Sequence, residues 1–493
     1  MSTTSISIDS NKKHFFSICT VFFILFCSSL ISIILLLDEN KPYYFELLPL
    51  MPLSFGVVSS IFYNSLYENF KSFSFSIFYF VYSIRMMIIP FTLYLSNYDI
   101  QLGDYNTILD YSNMYKKMDY SIILSIYELI VVFLLLKLFT SQRKYPFKLN
   151  QDNKFETVSK TLKRVILISL FIIIILSIVY SSLTDYFSFF VETSQKANYI
   201  KQIELNNLRK EIPSLPYWIF VTLIKVLQMF IPILLIKIIY KLIGHKKRFI
   251  GIFLSFLVVV FTFSLMTPEK INSVAISIVL LIILSKIYKI AMKKIIILLG
   301  LLIIFALVGL LYKSGIYNEG KTVTNLLSST LNAYFSGIVN ISLGSSMNQK
   351  QVTWEIIFSD IINSVPFMSY YFKDMLSTPE VFNEYIKGEY TQVTKIIPMI
   401  SQGQYYFTFL FAPIFSVLSV LLSVHYERKL RSSNEWVQKY VFLYGTIYFA
   451  ISPIMYNFNI ALNGLIFILI YIVIIQKPKV GSYDKNKKIY KKY

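Results

Sequence analysis

Apolar runs long enough to cross a bilayer recur along most of the chain, separated by short polar segments rich in lysine. A helix needs roughly 20 apolar residues to cross the hydrocarbon core. That length predicts about twelve spans, near residues 15–37, 45–66, 73–96, 120–140, 164–183, 216–240, 249–266, 271–290, 295–312, 403–425, 437–456 and 457–476. One stretch breaks the pattern: residues 313–402 are long and contain no such run. The expected fold is therefore an all-α polytopic membrane protein with one long outer loop that contains amphipathic helices. Its parts are a membrane bundle at 1–312, a large extracytoplasmic loop at 313–402, a second part of the bundle at 403–476 and a basic cytoplasmic tail at 477–493. Inside the loop, Trp354, Ile357, Ile361 and Val365 share one side of a helix, and Glu355, Ser359 and Asp360 the other. Such a helix lies at a membrane interface or packs on the bundle.

Composition sharpens this picture. A hydrophobic content of 55%, an aromatic content of 17% and a positive mean hydropathy together are too apolar for a soluble globular protein. The formal charge of +20 would suggest nucleic acid in a soluble chain, but here the lysines fall in short segments between apolar runs, where cytoplasmic retention explains them. No nucleic-acid partner is expected. The basic segments 141–164, 241–248, 286–294, 426–436 and 477–493 become cytoplasmic together if the N-terminus is inside. Both termini are then cytoplasmic, and the long loop faces outward. The first run, Phe15 to Leu37, is too long for a signal-peptide core and reads as a retained helix. Cys19 and Cys27, both inside that run, imply neither a disulfide nor a metal site.

Charges within spans are costly, at about 2.5 to 3.5 kcal/mol near a helix centre, and so need a reason. Arg85 in YSIRMMIIP is one. A guanidinium fork suits bidentate phosphate oxygens, which makes Arg85 a pyrophosphate clamp, an ion-pair partner of Glu128 in the next span, or both. Lys225 lies in the sixth span, where its stem permits snorkelling. Arg209 and Lys270 complete a set of cations at the outer side, with a solvated loop charge as the plain alternative for Arg209. His14, His245 and His425 all fall near cytoplasmic ends, so no outer site has imidazole as a base or metal ligand. The sequence has no Asp-x-Asp pair, Walker loop or Gly-rich dinucleotide turn. The expected chemistry is metal-independent, with no cofactor, and its base is a carboxylate. Asp360, on the amphipathic helix, is the candidate.

Four stretches, YSIRMMIIPFTLYLS, IYELIVVF, LNAYFSGIVN and KIIPMISQGQYYFTFLFAPIFSVL, resemble, in order, segments of the Wzy-type polymerases that join O-antigen or capsule repeat units. The resemblance implies a bacterial cytoplasmic-membrane glycosyltransferase acting on undecaprenyl-pyrophosphate-linked oligosaccharide. It also implies membrane lipid, a flippase and a chain-length regulator as partners. In such a reaction a sugar hydroxyl attacks an anomeric carbon and the lipid pyrophosphate departs. Arg85, Arg209, Lys225 and Lys270 would hold that pyrophosphate, with Glu128 orienting Arg85, and Tyr334, Tyr405, Tyr406 and Gln402 would contact the glycan, since a tyrosine offers a sugar an apolar face and a hydroxyl; the alternative for the tyrosines is an interfacial aromatic belt. The chain departs from the family's pattern in having no Arg in the long loop, a Lys at position 270, and no Gly after Tyr405 and Tyr406, where Thr408 stands nearby. A flippase for the same lipid, and another polyprenyl-dependent transferase or ligase, are the rival readings.

Overall fold

A computed structural model describes residues 4–62, 72–99, 111–140, 160–184, 212–244, 247–265, 270–288, 290, 322–347, 353–366, 368, 372, 375–387, 396–433 and 435–476. Among these, helices form the whole architecture and no strand occurs. The first half contributes α1 (Thr4–Leu37), a 3-10 turn (Tyr43–Phe45), α2 (Leu50–Ile61), α3 (Phe73–Ser83), a π turn (Ile84–Ile88), α4 (Ile89–Leu95), α5 (Tyr111–Lys116) and α6 (Met118–Thr140). Next come α7 (Lys160–Val179), α8 (Ser214–Ile239), a second π turn (Tyr240–Gly244), α9 (Arg248–Leu265) and α10 (Lys270–Ile287). The loop supplies α11 (Val323–Tyr334), α12 (Ile338–Ser345), α13 (Trp354–Ser364) and α14 (Thr378–Lys387). The chain then forms α15 (Met399–Phe411), α16 (Ile414–Ser432), α17 (Trp436–Met455) and α18 (Phe458–Ile475).

Seven of the described helical stretches are long and apolar enough to cross a membrane. These are Cys19–Leu37, Tyr43–Ile61, Phe73–Leu95, Met118–Phe139, Leu162–Val179, Leu215–Ile243 and Phe458–Ile475. The protein is thus an all-α membrane protein. Arg248–Thr262 and Asn272–Ile287 are shorter apolar helices, and the expected span at 295–312 lies outside the described residues.

The expected span at 403–425 is broken by a corner. Here α15 and α16 meet at 103°. Thr408 adopts φ 68° and ψ −173°, a conformation that only glycine takes readily, and Pro413 restarts the helix after the break. Hydropathy averages across such a corner and does not register it. Gly403 completes the turn, since a Cβ there would collide with the carbonyl of Ala412.

At the centre stands α17, buried along nearly its whole length. It packs on α3, α10, α16 and α18. Gly445 lets the ring of Tyr426 lie against it, and Gly464 on α18 does the same for Tyr448. Helix α12 is enclosed on all sides, between α5, α6, α11 and α15. The segment 322–347 thereby packs into the helical bundle. Asn340 on α12 donates to the carbonyls of Asn332 and Ala333, closing the end of α11.

Candidate functional site

Two buried carboxylates organise the region around the bend. The first belongs to Glu128 on α6. Pro90 lacks the N–H a helix would use and its ring crowds the carbonyl four residues back, and the turn just before it widens into the π segment Ile84–Ile88. Arg85 sits in this segment and is fully buried. Its Nη1 donates to Glu128 Oε2 at 2.6 Å, and both side chains are inaccessible to solvent. Glu128 Oε1 accepts from Ser416 Oγ at the start of α16. Arg85 Nε and Nη2 have no hydrogen-bond partner among the described residues. A buried ion pair with unused donors is expensive, and π turns recur at functional sites.

The second carboxylate is Asp360. Thr353 caps α13 by accepting from the amide of Ile356, and the helix then turns its polar side inward. Ser359, Asp360 and Ser364 are buried. Asp360 Oδ1 accepts from the amide of Thr378 at 2.9 Å and from Asn459 Nδ2 at 2.8 Å. Its Oδ2 accepts from Gln402 Nε2 at 3.0 Å and from the Tyr406 hydroxyl. Gln402 also joins Asn459 Oδ1 at 2.9 Å and accepts from the amide of Phe458 at 2.8 Å. Thr378 Oγ1 and the Tyr406 hydroxyl lie 2.6 Å apart. One carboxylate therefore ties α13, α14, α15 and α18 together. Burial pushes its carboxyl up to about 6, against the opposing pull of donors from Asn459, Thr378 and Gln402.

The two clusters flank the corner. Phe415 stacks on Phe458 at 4.2 Å and meets Tyr406 edge-on at 5.9 Å, while the next residue, Ser416, reaches Glu128. Tyr405 is buried with its hydroxyl unpartnered among the described residues.

The structure thus joins Asp360 with Gln402 and Tyr406, and Arg85 with Glu128. Lys225 and Tyr334 lie elsewhere. Lys225 holds its ammonium 4.5 Å over the ring of Phe467, a cation–π contact between α8 and α18. Tyr334 is 39% exposed on α11. Arg209 and the side chain of Lys270 lie outside the described residues. Sequence reasoning missed Thr378, Asn459 and Ser416, which carry no charge to draw attention. It also missed Glu427, fully buried at the opposite end of α16. Glu427 accepts from Ser72 Oγ at 2.6 Å, from the amides of Phe73 and Ser74, and from Arg431 Nη2 at 2.6 Å. The N-capping serine of α3 and the i,i+4 spacing of Glu427 and Arg431 were the available signals.

Comparison with family models, curated proteins and solved structures finds no match for this chain.

Proposed function

We propose that the chain polymerises undecaprenyl-pyrophosphate-linked oligosaccharide repeat units at the outer face of a bacterial cytoplasmic membrane. One observation carries the reading: the four stretches that resemble the polymerase family, far apart in sequence, pack against one another. Glu128 from the second holds Arg85 from the first and Ser416 from the last. Ser401 from the last donates to the carbonyl of Ile341, next to the third, at 3.1 Å.

In this reading the two unused donors of Arg85 take oxygens of the departing lipid pyrophosphate, offsetting the charge that grows as the anomeric bond breaks. The acceptor hydroxyl forms the new glycosidic bond and gives up its proton. Asp360, held near 6, has the proton affinity suited to a base at neutral pH, and Tyr406 or Gln402 must swing aside to free one of its oxygens. Arg85 is enclosed, so substrate entry requires α15 and α16 to move. Both termini lie in the cytoplasm, a flippase supplies the substrate, and a chain-length regulator acts on the product.

The test is elongation. Protein reconstituted in vesicles with its lipid-linked repeat unit should give a ladder of product lengths and released undecaprenyl pyrophosphate. Arg85→Ala should abolish the ladder, and Arg85→Lys should leave a fraction of it. Transfer of the lipid between leaflets without elongation would make the protein a flippase, and a folded Arg85→Ala protein with an unaltered ladder would remove Arg85 from the site.

A further inference from the structure

Helix α13 is inverted relative to a helix on a water-facing surface. Its polar side is buried, while Trp354, Phe358 and Ile361 are 82%, 52% and 42% exposed. The described residues that follow continue the trend, with Met368, Phe372 and Leu376 exposed and Phe358 meeting Phe372 edge-on at 6.4 Å.

The hydrogen bonds fix where this face lies. Asp360 pairs with Asn459, and the carbonyl of Ser364 accepts from Asn463 Nδ2 at 2.9 Å. Four residues along α13 match four residues along α18, so the two helices run alongside in the same sense there. Helix α18 is one of the spans, beginning at Phe458 just after the turn from α17. Asn463 lies five residues into it, about 7 Å along the axis at 1.5 Å per residue. Ser364 is level with it, while Trp354, ten residues earlier in α13, lies about 15 Å back along the same direction, beyond the first residue of α18. Met375 and Thr378 lie back beside the middle of α13, since Ser359 Oγ donates to the carbonyl of Met375 and Asp360 accepts from the amide of Thr378.

We infer that the apolar face of α13, with the described residues Met368, Phe372 and Leu376 that extend it, dips into the lipid beside α18, making the bilayer itself the binding partner of this face. Only the Ser364 end of α13 reaches about 7 Å past the start of α18, a depth at the boundary between headgroups and acyl chains. Trp354 occupies the outermost end, in the headgroup zone where indole rings prefer to sit; Phe358 is level with the start of α18 and Ile361 about 3 Å past it. The exposed Glu355 stays at the shallow end as well. This placement is independent of the reaction proposed above.

Nitroxide labels test it, introduced singly as Trp354→Cys, Phe358→Cys and Ile361→Cys in a Cys19→Ser/Cys27→Ser background, in phosphatidylcholine and phosphatidylglycerol vesicles. The ratio of oxygen to nickel-chelate collisions should rise from 354 to 361 and exceed that of a label in water at 358 and 361. Nickel-chelate collisions dominating at both positions would show a water-facing surface and overturn the placement. Spin–spin broadening that disappears on dilution with lipid would assign the face to a second copy and overturn it equally. Should the labelled variants fail to fold, the unaltered protein can be reconstituted with a phospholipid bearing a photoreactive acyl chain. Adducts within 354–364 are expected; their absence while α18 is labelled refutes the inference.

Discussion

Glu128 and Asp360 are both wholly buried carboxylates on either side of one helix corner, and they are neutralised in opposite ways. Glu128 faces a full positive charge whose own donors are only partly used. Asp360 accepts only from uncharged groups, yet both of its oxygens are fully engaged. The first arrangement leaves a charged group able to take a ligand and strongly dependent on its partner. The second fixes geometry, and it leaves the carboxyl to titrate in a range where proton transfer is useful.

The largest expected effect is on the ion pair. Arg85→Ala strands Glu128 in the apolar interior and should cost about 3 to 5 kcal/mol, read as a large drop in thermal stability in detergent. Replacing both partners, Arg85→Met with Glu128→Leu, should recover most of that stability while elongation stays absent. If stability returned together with activity, the pair would be a structural contact alone.

A smaller effect belongs to Asp360 and depends on pH. Its carboxyl rises from the ordinary 3.8 to about 6 in the folded chain, so the folded state holds the proton more tightly than the unfolded one. Stability from this group is complete below about pH 4 and is lost as pH rises through about 6, a swing of about 3 kcal/mol. Asp360→Asn should flatten the stability profile between these limits. An unchanged slope would assign the titration to another group.

The smallest effect concerns the corner between the two clusters. Thr408→Gly removes a φ of 68° from a side-chain-bearing residue and should stabilise the protein by about 1 kcal/mol. If the strain also couples the clusters, the pH midpoint of the wild-type stability profile should shift in this variant; an unmoved midpoint separates them.

Reading the sequence reached Arg85 and Glu128 because a charge inside an apolar run is conspicuous on its own. It reached Asp360 through the face that residue occupies on an amphipathic helix. The partners were another matter: Thr378, Gln402, Tyr406 and Asn459 come from three other helices, and nothing local marks four neutral side chains as converging on one carboxylate. The helices over most of the expected spans were legible from run length. The corner was not, because Gly403, Thr408 and Pro413 barely lower the hydropathy of the window around them, although Gly and Pro were both available as signals. Glu427 was passed over because its neighbours Arg428, Lys429 and Arg431 read as a solvated cytoplasmic segment, whereas its side chain is fully enclosed.

The hold of Glu427 on the start of α3 gives α16 a fulcrum. Ser416 and Glu427 are eleven residues apart, about 16 Å along the helix axis. A tilt of about 10° around the Glu427 end would carry Ser416 sideways by about 3 Å at that lever length, more than the hydrogen bond to Glu128 can stretch. Such a tilt would keep the anchor at one end while releasing the carboxylate at the other, against the hold of Ser423 on Ser74 and on the carbonyl of Thr446.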